Sequence, residues 1–404
     1  MNDINSFTTD RLEKKRGGMM KFLLIACLSL FVIACSESSV TTTETTDNSD
    51  DLVSSTEVSP HAILSSGYLS ESVGMSSNFR AKGAHTANED GFASPLFGLA
   101  TAPNGNILVA DAGAGVATLD GRTNIPLPGV SDMSPIGRGT MWALKGLTGA
   151  PGDDTGQALY RVSKGKNKVI ADLFSFEATN NPDGGVVDSN PFDVESLGGK
   201  AALVVDAGGN DLLHIDNKGN LKVLAVFPDE LVSTANIKEL VGCPDSGAGL
   251  CGLPDMMPAQ PVPTSVAIGP DGYYYVGELK GFPAPSNASN IWRIAPDASW
   301  AECGSSPDCM KVFDGGFTSI IDLVFDSEGN LHVAELDEQS WFAVEVLGGG
   351  VGGTINSCDL DAASCTEVAT EIPILTAITF GNDGRLWATQ NALIPNLAEV
   401  VAID

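Results

Sequence analysis

From residue 90 onward the chain alternates short apolar runs with clusters of Gly, Asp, Asn and Pro, and nowhere sustains the spacing of a long amphipathic helix. The stretch VVDAGGNDLLHIDNKGN, Val204 to Asn220, shows the pattern at close range. Ala202 to Val205 is an apolar run of strand length. Asp206 to Asn210 supplies turn residues, because Gly takes positive φ freely and Asp and Asn hydrogen-bond their own backbone. Leu212 to Ile215 is a second strand, Asp216 to Asn220 a second turn and Leu221 to Phe227 a third strand, which predicts an antiparallel meander.

The unit recurs from Gly98 (GLATAPNGNILVADAG), Ser265 (SVAIGPDGYYYVGELKG), Asp322 (DLVFDSEGNLHVAELDE) and Ala377 (AITFGNDGRLWATQNA). In these four copies a turn glycine (Gly105, Gly272, Gly329, Gly384) lies six residues before a polar strand end: Asp111, Glu278, Glu335 and Gln390. Gly199 to Asp206 fits with one extra residue, and a weaker copy runs from Gly137 to Leu147, with later strands at Gln157–Val162 and Lys168–Leu173. Copies recur at about 40 to 70 residues, the signature of a β-propeller whose blades are four-stranded sheets. The runs LKVLAVF, NKVIADL and MKVFDGG end blades 3, 2 and 4. Glu399 to Ile403 is expected as the third strand of a sixth blade, with His61 to Gly67 supplying its fourth, so that no sheet edge stays open. The expected fold is therefore all-β, a six-bladed propeller over residues 60–404 closed by an N-terminal strand. The 45 glycines and 22 prolines suit so turn-rich a chain.

The N-terminus changes the picture from fold to compartment. Phe22 to Ile33 is a twelve-residue apolar run, too short to cross a bilayer as a helix and right for a signal-peptide core, with Lys14, Lys15, Arg16 and Lys21 as its positive flank. Residues 1–18 look like a misassigned start before a well-formed signal at Met19 or Met20. Val32-Ile33-Ala34-Cys35 resembles the bacterial lipobox, which implies cleavage after residue 34 and lipid on the Cys35 thiol; Ser36 then favours the outer membrane, facing the periplasm or the cell surface. Residues 35–59, rich in Ser, Thr, Asp and Glu, cannot build a core and read as a tether.

Six cysteines follow the signal as three near pairs, Cys243/Cys251, Cys303/Cys309 and Cys358/Cys365, each in a polar, turn-rich stretch. In an exported chain this predicts three disulfide clips, while the spacing and the lack of adjacent histidine argue against a thiolate zinc site. The whole chain carries a net charge of −29; five of its 22 basic and three of its 51 acidic residues lie in residues 1–34, leaving 17 against 48, or −31. Such a surface repels nucleic acid and anionic lipid headgroups, so neither is an expected partner, and the protein is expected as a monomer.

The strand, turn and "VAD"-like strand end resemble the NHL-type propeller repeat. More specifically, NNPDGGVVDSNPF (Asn180–Phe192), VVDAGGNDLLHID, LAVFP (Leu224–Pro228), VPTSVAIGPDGYYYVGELKGFP (Val262–Pro283) and FTSIIDLVFDSEGNLHVAEL (Phe317–Leu336) resemble the ScyD/ScyE family. The lipobox, acidic tether and cysteine loops depart from that pattern, and the resemblance implies no catalytic chemistry.

Asp111, Asp206, Glu278 and Glu335 end second strands, so propeller symmetry can bring them to one face, where carboxylates and carbonyls suit Ca²⁺; the alternative is that each caps its own turn. Asp193 and Asp322, near first-strand starts, are better candidates to face inward. The chain also resembles gluconolactonase and lactonase propellers in architecture. That resemblance implies Glu, Asn and Asp ligands at inner-strand starts, where this chain has Phe97, Thr264, Ile321 and Thr376, with Asn190 close to one. No G-x-S-x-G elbow occurs, and His61, His85, His214 and His332 are scattered. Met256-Met257 suggests copper thioethers but lacks a histidine, and Asp359 and Asp361 match only the first positions of a calcium loop. The expectation is a lipid-anchored binding or scaffolding propeller without a required cofactor. It would hold a protein or small molecule on a loop face, with residues Lys280 to Asn287 as a candidate loop. The competing expectation is a metal-dependent hydrolase of lactonase type.

Overall fold

The computed structural model describes residues 91–119, 124–244 and 247–403, all within the compact unit Pro60–Asp404. These residues form six antiparallel sheets around an axis, each entered by its innermost strand. Blade 1 runs Leu96–Thr101, Ile107–Asp111, Gly115–Thr118, Asn124–Pro126, and blade 2 runs Val130–Gly137, Thr140–Lys145, Ala158–Ser163, Lys166–Asp172. Blade 3 runs Pro191–Ser196, Ala201–Asp206, Asp211–Asp216, Leu221–Val226, with Ala301–Glu302 added in parallel at its outer edge. Blade 4 runs Pro263–Ile268, Tyr274–Glu278, Ser289–Ile294, Cys309–Phe317, and blade 5 runs Ile320–Phe325, Leu331–Glu335, Gly353–Asp359, Ser364–Ile372. Blade 6 has Ile378–Phe380, Leu386–Gln390 and Glu399–Ile403 among the described residues. The expected fourth strand, His61 to Gly67, lies outside the described residues, as do the expected signal, the expected lipid-bearing Cys35 and the expected tether.

The repeat glycines do the work their positions require. Gly105, Gly272, Gly329 and Gly384 have φ of +88°, +80°, +92° and +78°, and each donates its N–H to the carbonyl three residues earlier. The apolar residues of each strand pack against the neighbouring blade, so the core is distributed between sheets. Trp142 lies between blades 2 and 3, and Trp292 between blades 3 and 4; both are fully buried.

Among the described residues three short α-helices decorate this frame: α1 (Leu173–Asn180), α2 (Ala235–Leu240) and α3 (Trp341–Glu345). Helix α1 takes Leu173 out of the strand expected at Lys168–Leu173, because the Asp172 carboxylate accepts the Ser175 N–H and caps a helix there. The three disulfides are those expected. Cys358–Cys365 joins directly paired residues of blade 5, Cys303–Cys309 closes the loop before the last strand of blade 4, and Cys243–Cys251 clips the insertion between blades 3 and 4. That insertion includes the two-stranded ribbon Glu230–Ser233/Met256–Ala259. Met256, on this ribbon, is 51% exposed.

Candidate functional site: the axial cavity

The strand-end residues do not meet. Asp111 accepts the N–H groups of Ala93 (2.8 Å) and Gly113 (3.1 Å). Asp206 accepts Ser189 Oγ (2.6 Å) and the N–H groups of Asn190, Gly208 and Gly209. Glu278 binds Trp292 Nε1, Asn290 Nδ2 (2.8 Å) and Lys280 Nζ (2.8 Å). Glu335 binds the Thr318 N–H and Asn356 Nδ2 (2.8 Å). Each carboxylate is consumed in tying its own blade to an adjacent loop, which leaves these four with no shared centre. The loop after Glu278 is structural too: Lys280 is fully buried between Glu278 and Glu230, and its carbonyl accepts Trp341 Nε1 at 2.9 Å. His332 is buried beside Asp326, and Asp359 caps a turn by accepting the N–H groups of Asp361 and Ala362.

The inward-facing chemistry sits at two fixed offsets before the strand ends Asp111, Lys145, Asp206, Glu278, Glu335 and Gln390. Fourteen residues earlier stand Phe97, Ser131, Phe192, Thr264, Ile321 and Thr376, alternating apolar with hydroxyl around the ring. The hydroxyls staple each even blade to the first strand of the next: Ser131 Oγ donates to Pro191 O (3.0 Å), Thr264 Oγ1 to Ile320 O (2.7 Å) and Thr376 Oγ1 to Leu96 O (2.6 Å). Phe97, Phe192 and Ile321 fill the axis between them, with the Phe97 and Phe192 rings 5.6 Å apart. The same two rings wall a small pocket of about 30 Å³ on the far side of this plug.

Thirteen residues before the strand ends come Gly98, Asp132, Asp193, Ser265, Asp322 and Ala377. In blades 1 to 5 the pairing of first and second strands is irregular beside this position. Three aspartates use it to reach across the seams. Asp132 accepts the Val194 N–H (3.1 Å), Asp193 that of Val266 (2.6 Å) and Asp322 that of Ile378 (2.7 Å). Gly98 completes the ring by omission, since a Cβ there would stand 2.0 Å from Asp132 Oδ1.

Beyond the plug these aspartates and Glu195 line a cavity of about 340 Å³ with no Lys, Arg or His among the described residues of its walls. Burial pushes the Asp132 carboxyl well above its usual range, and the charge of Asp193 and the contact between the two carboxyls add to this. Burial likewise lifts Asp322 well above the usual range, and burial followed by the charge of Asp193 lifts Glu195 to about 7. The cavity thus offers carboxyl groups that accept or donate hydrogen bonds near neutral pH. Among the described residues no three His, Cys, Asp or Glu side chains are arranged to hold a metal. Asp193 and Asp322 are therefore brought together, by Asp132 and Glu195, which the sequence reading did not single out. The thirteen-residue offset shared by Asp132, Asp193 and Asp322 is the signal that finds Asp132.

The site and blades define the class, a six-bladed β-propeller with an acid-lined axial cavity. The chain matches no protein-family model and no curated protein. Among solved structures it is similar to a catalytically inactive virginiamycin B lyase from Staphylococcus aureus with quinupristin, at 15% identity and TM-score 0.43, covering 80% of this chain and 88% of that one. It is also similar to the calcium-binding protein regucalcin from Agrobacterium tumefaciens, at 16% identity and TM-score 0.46, covering 79% and 93%. A third is the soluble aldose sugar dehydrogenase from Escherichia coli, at 12% identity and TM-score 0.45, covering 77% and 96%. No residue role is carried over from them.

Proposed function

We propose that this protein is an exported, lipid-anchored binding propeller that holds a small donor-rich molecule, an amine or a polyol, in its axial cavity. One observation carries the reading: the cavity is acid-lined, yet each of its three aspartates already commits an oxygen to the next blade. Carboxyls held that way recognise N–H and O–H groups well but are poorly placed to surround a metal and activate water. A volume of about 340 Å³ falls at the small end of ligand pockets. Membership of the ScyD/ScyE family and the outer-membrane location belong to the same proposal and rest on the sequence resemblances alone.

The test is calorimetric titration of the mature protein with a polyamine and a panel of sugars, beside the Asp322→Asn and Glu195→Gln variants. Binding that weakens tenfold or more in either variant is the expected result. Lactone hydrolysis that a chelator abolishes and that Asp322→Ala removes would replace this reading with the hydrolase. Cys35→Ser is expected to release the protein from membranes; unchanged membrane retention with lipid attached would refute the anchor.

A further inference from the structure

A second acidic group lies on the loop face of blade 3, where the binding reading makes no use of it. Helix α1 ends at Asn181, which adopts a left-handed conformation (φ 39°) and donates its N–H to Glu177 O at 2.8 Å. The Asn181 side chain is oriented by its Nδ2, which donates to Gly185 O (2.8 Å), and its Oδ1 is buried with no partner. Glu177, only 2% exposed, accepts the Asp188 N–H, and its Oε1 has no partner either. Asp211, which opens the third strand of blade 3, is 1% exposed, and its Oδ1 is also unpartnered.

The Glu177 and Asp211 carboxylates share one neighbourhood, and the Asn181 backbone is bonded to Glu177 at the end of the same helix. A Cβ on Gly209 would lie 3.3 Å from Glu177 Oε2 and 3.5 Å from the Asp206 carboxyl carbon. Asp183 is fixed beside them by Asn210 Nδ2 at 2.9 Å. Glu177 and Asp211 each sense the charges of Asp206 and Asp183, and no ion pair among the described residues reaches either one. After burial, that repulsion lifts Glu177 to about 8. Three buried acceptors without a donor are costly unless positive charge meets them. All three are oxygens, which suits a hard cation. They come from a helix, a loop and a strand start, and this irregular set fits Ca²⁺ better than the strict octahedron of Mg²⁺.

We propose that Glu177 Oε1, Asn181 Oδ1 and Asp211 Oδ1 bind a calcium ion, with loop carbonyls and water completing its shell. The ion would tie α1 and the following loop to blade 3, away from the axis.

The experiment is thermal unfolding and calorimetry of the mature protein at pH 8, with Ca²⁺ or Mg²⁺ at about 1 mM, the affinity range of extracellular modules. Ca²⁺ is expected to raise the unfolding midpoint and to give a binding heat, with Mg²⁺ markedly weaker. Asp211→Asn should raise the midpoint of the metal-free protein, because it removes an unpaired buried charge, and should abolish the Ca²⁺ response. Glu177→Gln gives the same reading if that variant folds poorly. Asp322→Asn, on the axis, should keep the full response. The proposal is overturned if the unaltered protein gives no Ca²⁺ heat or shift, if Asp211→Asn and Glu177→Gln respond like it, or if only Asp322→Asn loses the response. A metal-free protein stabilised at pH 5 but indifferent to Ca²⁺ at pH 8 would mean that the carboxyls are simply protonated, and would equally overturn it.

Discussion

Lys280 shows how far one residue can depart from its type. A lysine in a loop is ordinarily solvated, yet this one is fully buried, 2.8 Å from Glu278 and 2.7 Å from Glu230. Glu230 belongs to the ribbon inserted between blades 3 and 4; against the cost of its burial, Lys280 and then Lys311 hold its carboxyl down to about 2. Removing one partner of such a pair leaves the other charge uncompensated. Lys280→Met is therefore expected to destabilise by about 3–5 kcal/mol, and the double variant Lys280→Met/Glu278→Gln by clearly less. Chemical denaturation of both variants measures it, and equal losses would contradict the account. The sequence made Glu278 legible through its place in the repeat. It gave no sign of Lys280's role, because Glu230 stands fifty residues away in an insertion outside the repeat.

At the scale of the strand, the repeat was readable where a glycine and a polar residue punctuate it, as at Gly272 and Glu278, and indistinct where they change. Blade 2 ends its second strand in Lys145 rather than an acid, so its register, and with it Asp132, was hard to fix. Glu177 and Asp211 were harder still. One sits on a helix inserted between blades, and the other looks like an ordinary turn aspartate until its lack of a partner is seen. The first strands depend on matched sizes across each seam. Gly98→Ala places a methyl within 2.0 Å of Asp132 Oδ1 and 3.1 Å of its Cα. Overpacking of this kind costs about 1–3 kcal/mol. Gly98→Ala/Asp132→Ala should recover part of that loss, since contacting sites do not act independently. Additive losses in a double-mutant cycle would show that the two positions do not compete for space.

The whole ring closes between blades 6 and 1. Thr376 Oγ1 donates to Leu96 O (2.6 Å), Thr101 Oγ1 to Phe380 O (2.6 Å) and the Leu96 N–H to Ala392 O (2.9 Å). Acidity inside the ring should make its stability depend on pH. Glu195 has its folded-state value raised from 4.5 to about 7, so the folded chain keeps a proton that the unfolded chain gives up earlier. Stability from this group is full below pH 4.5, falls as pH rises to about 7, and is constant above. Glu195→Gln should thus leave the unfolding midpoint unchanged at pH 4 and raise it at pH 8. An equal shift at both pH values would mean that only packing had changed. The plug of Phe97, Phe192 and Ile321 has a further consequence for traffic. Among the described residues these side chains separate the axial cavity from the small pocket on the other side, so an occupant entering from the open end leaves by the door it came through. A polymer cannot be threaded across the ring, occupants must queue, and residence time becomes a property of a single doorway.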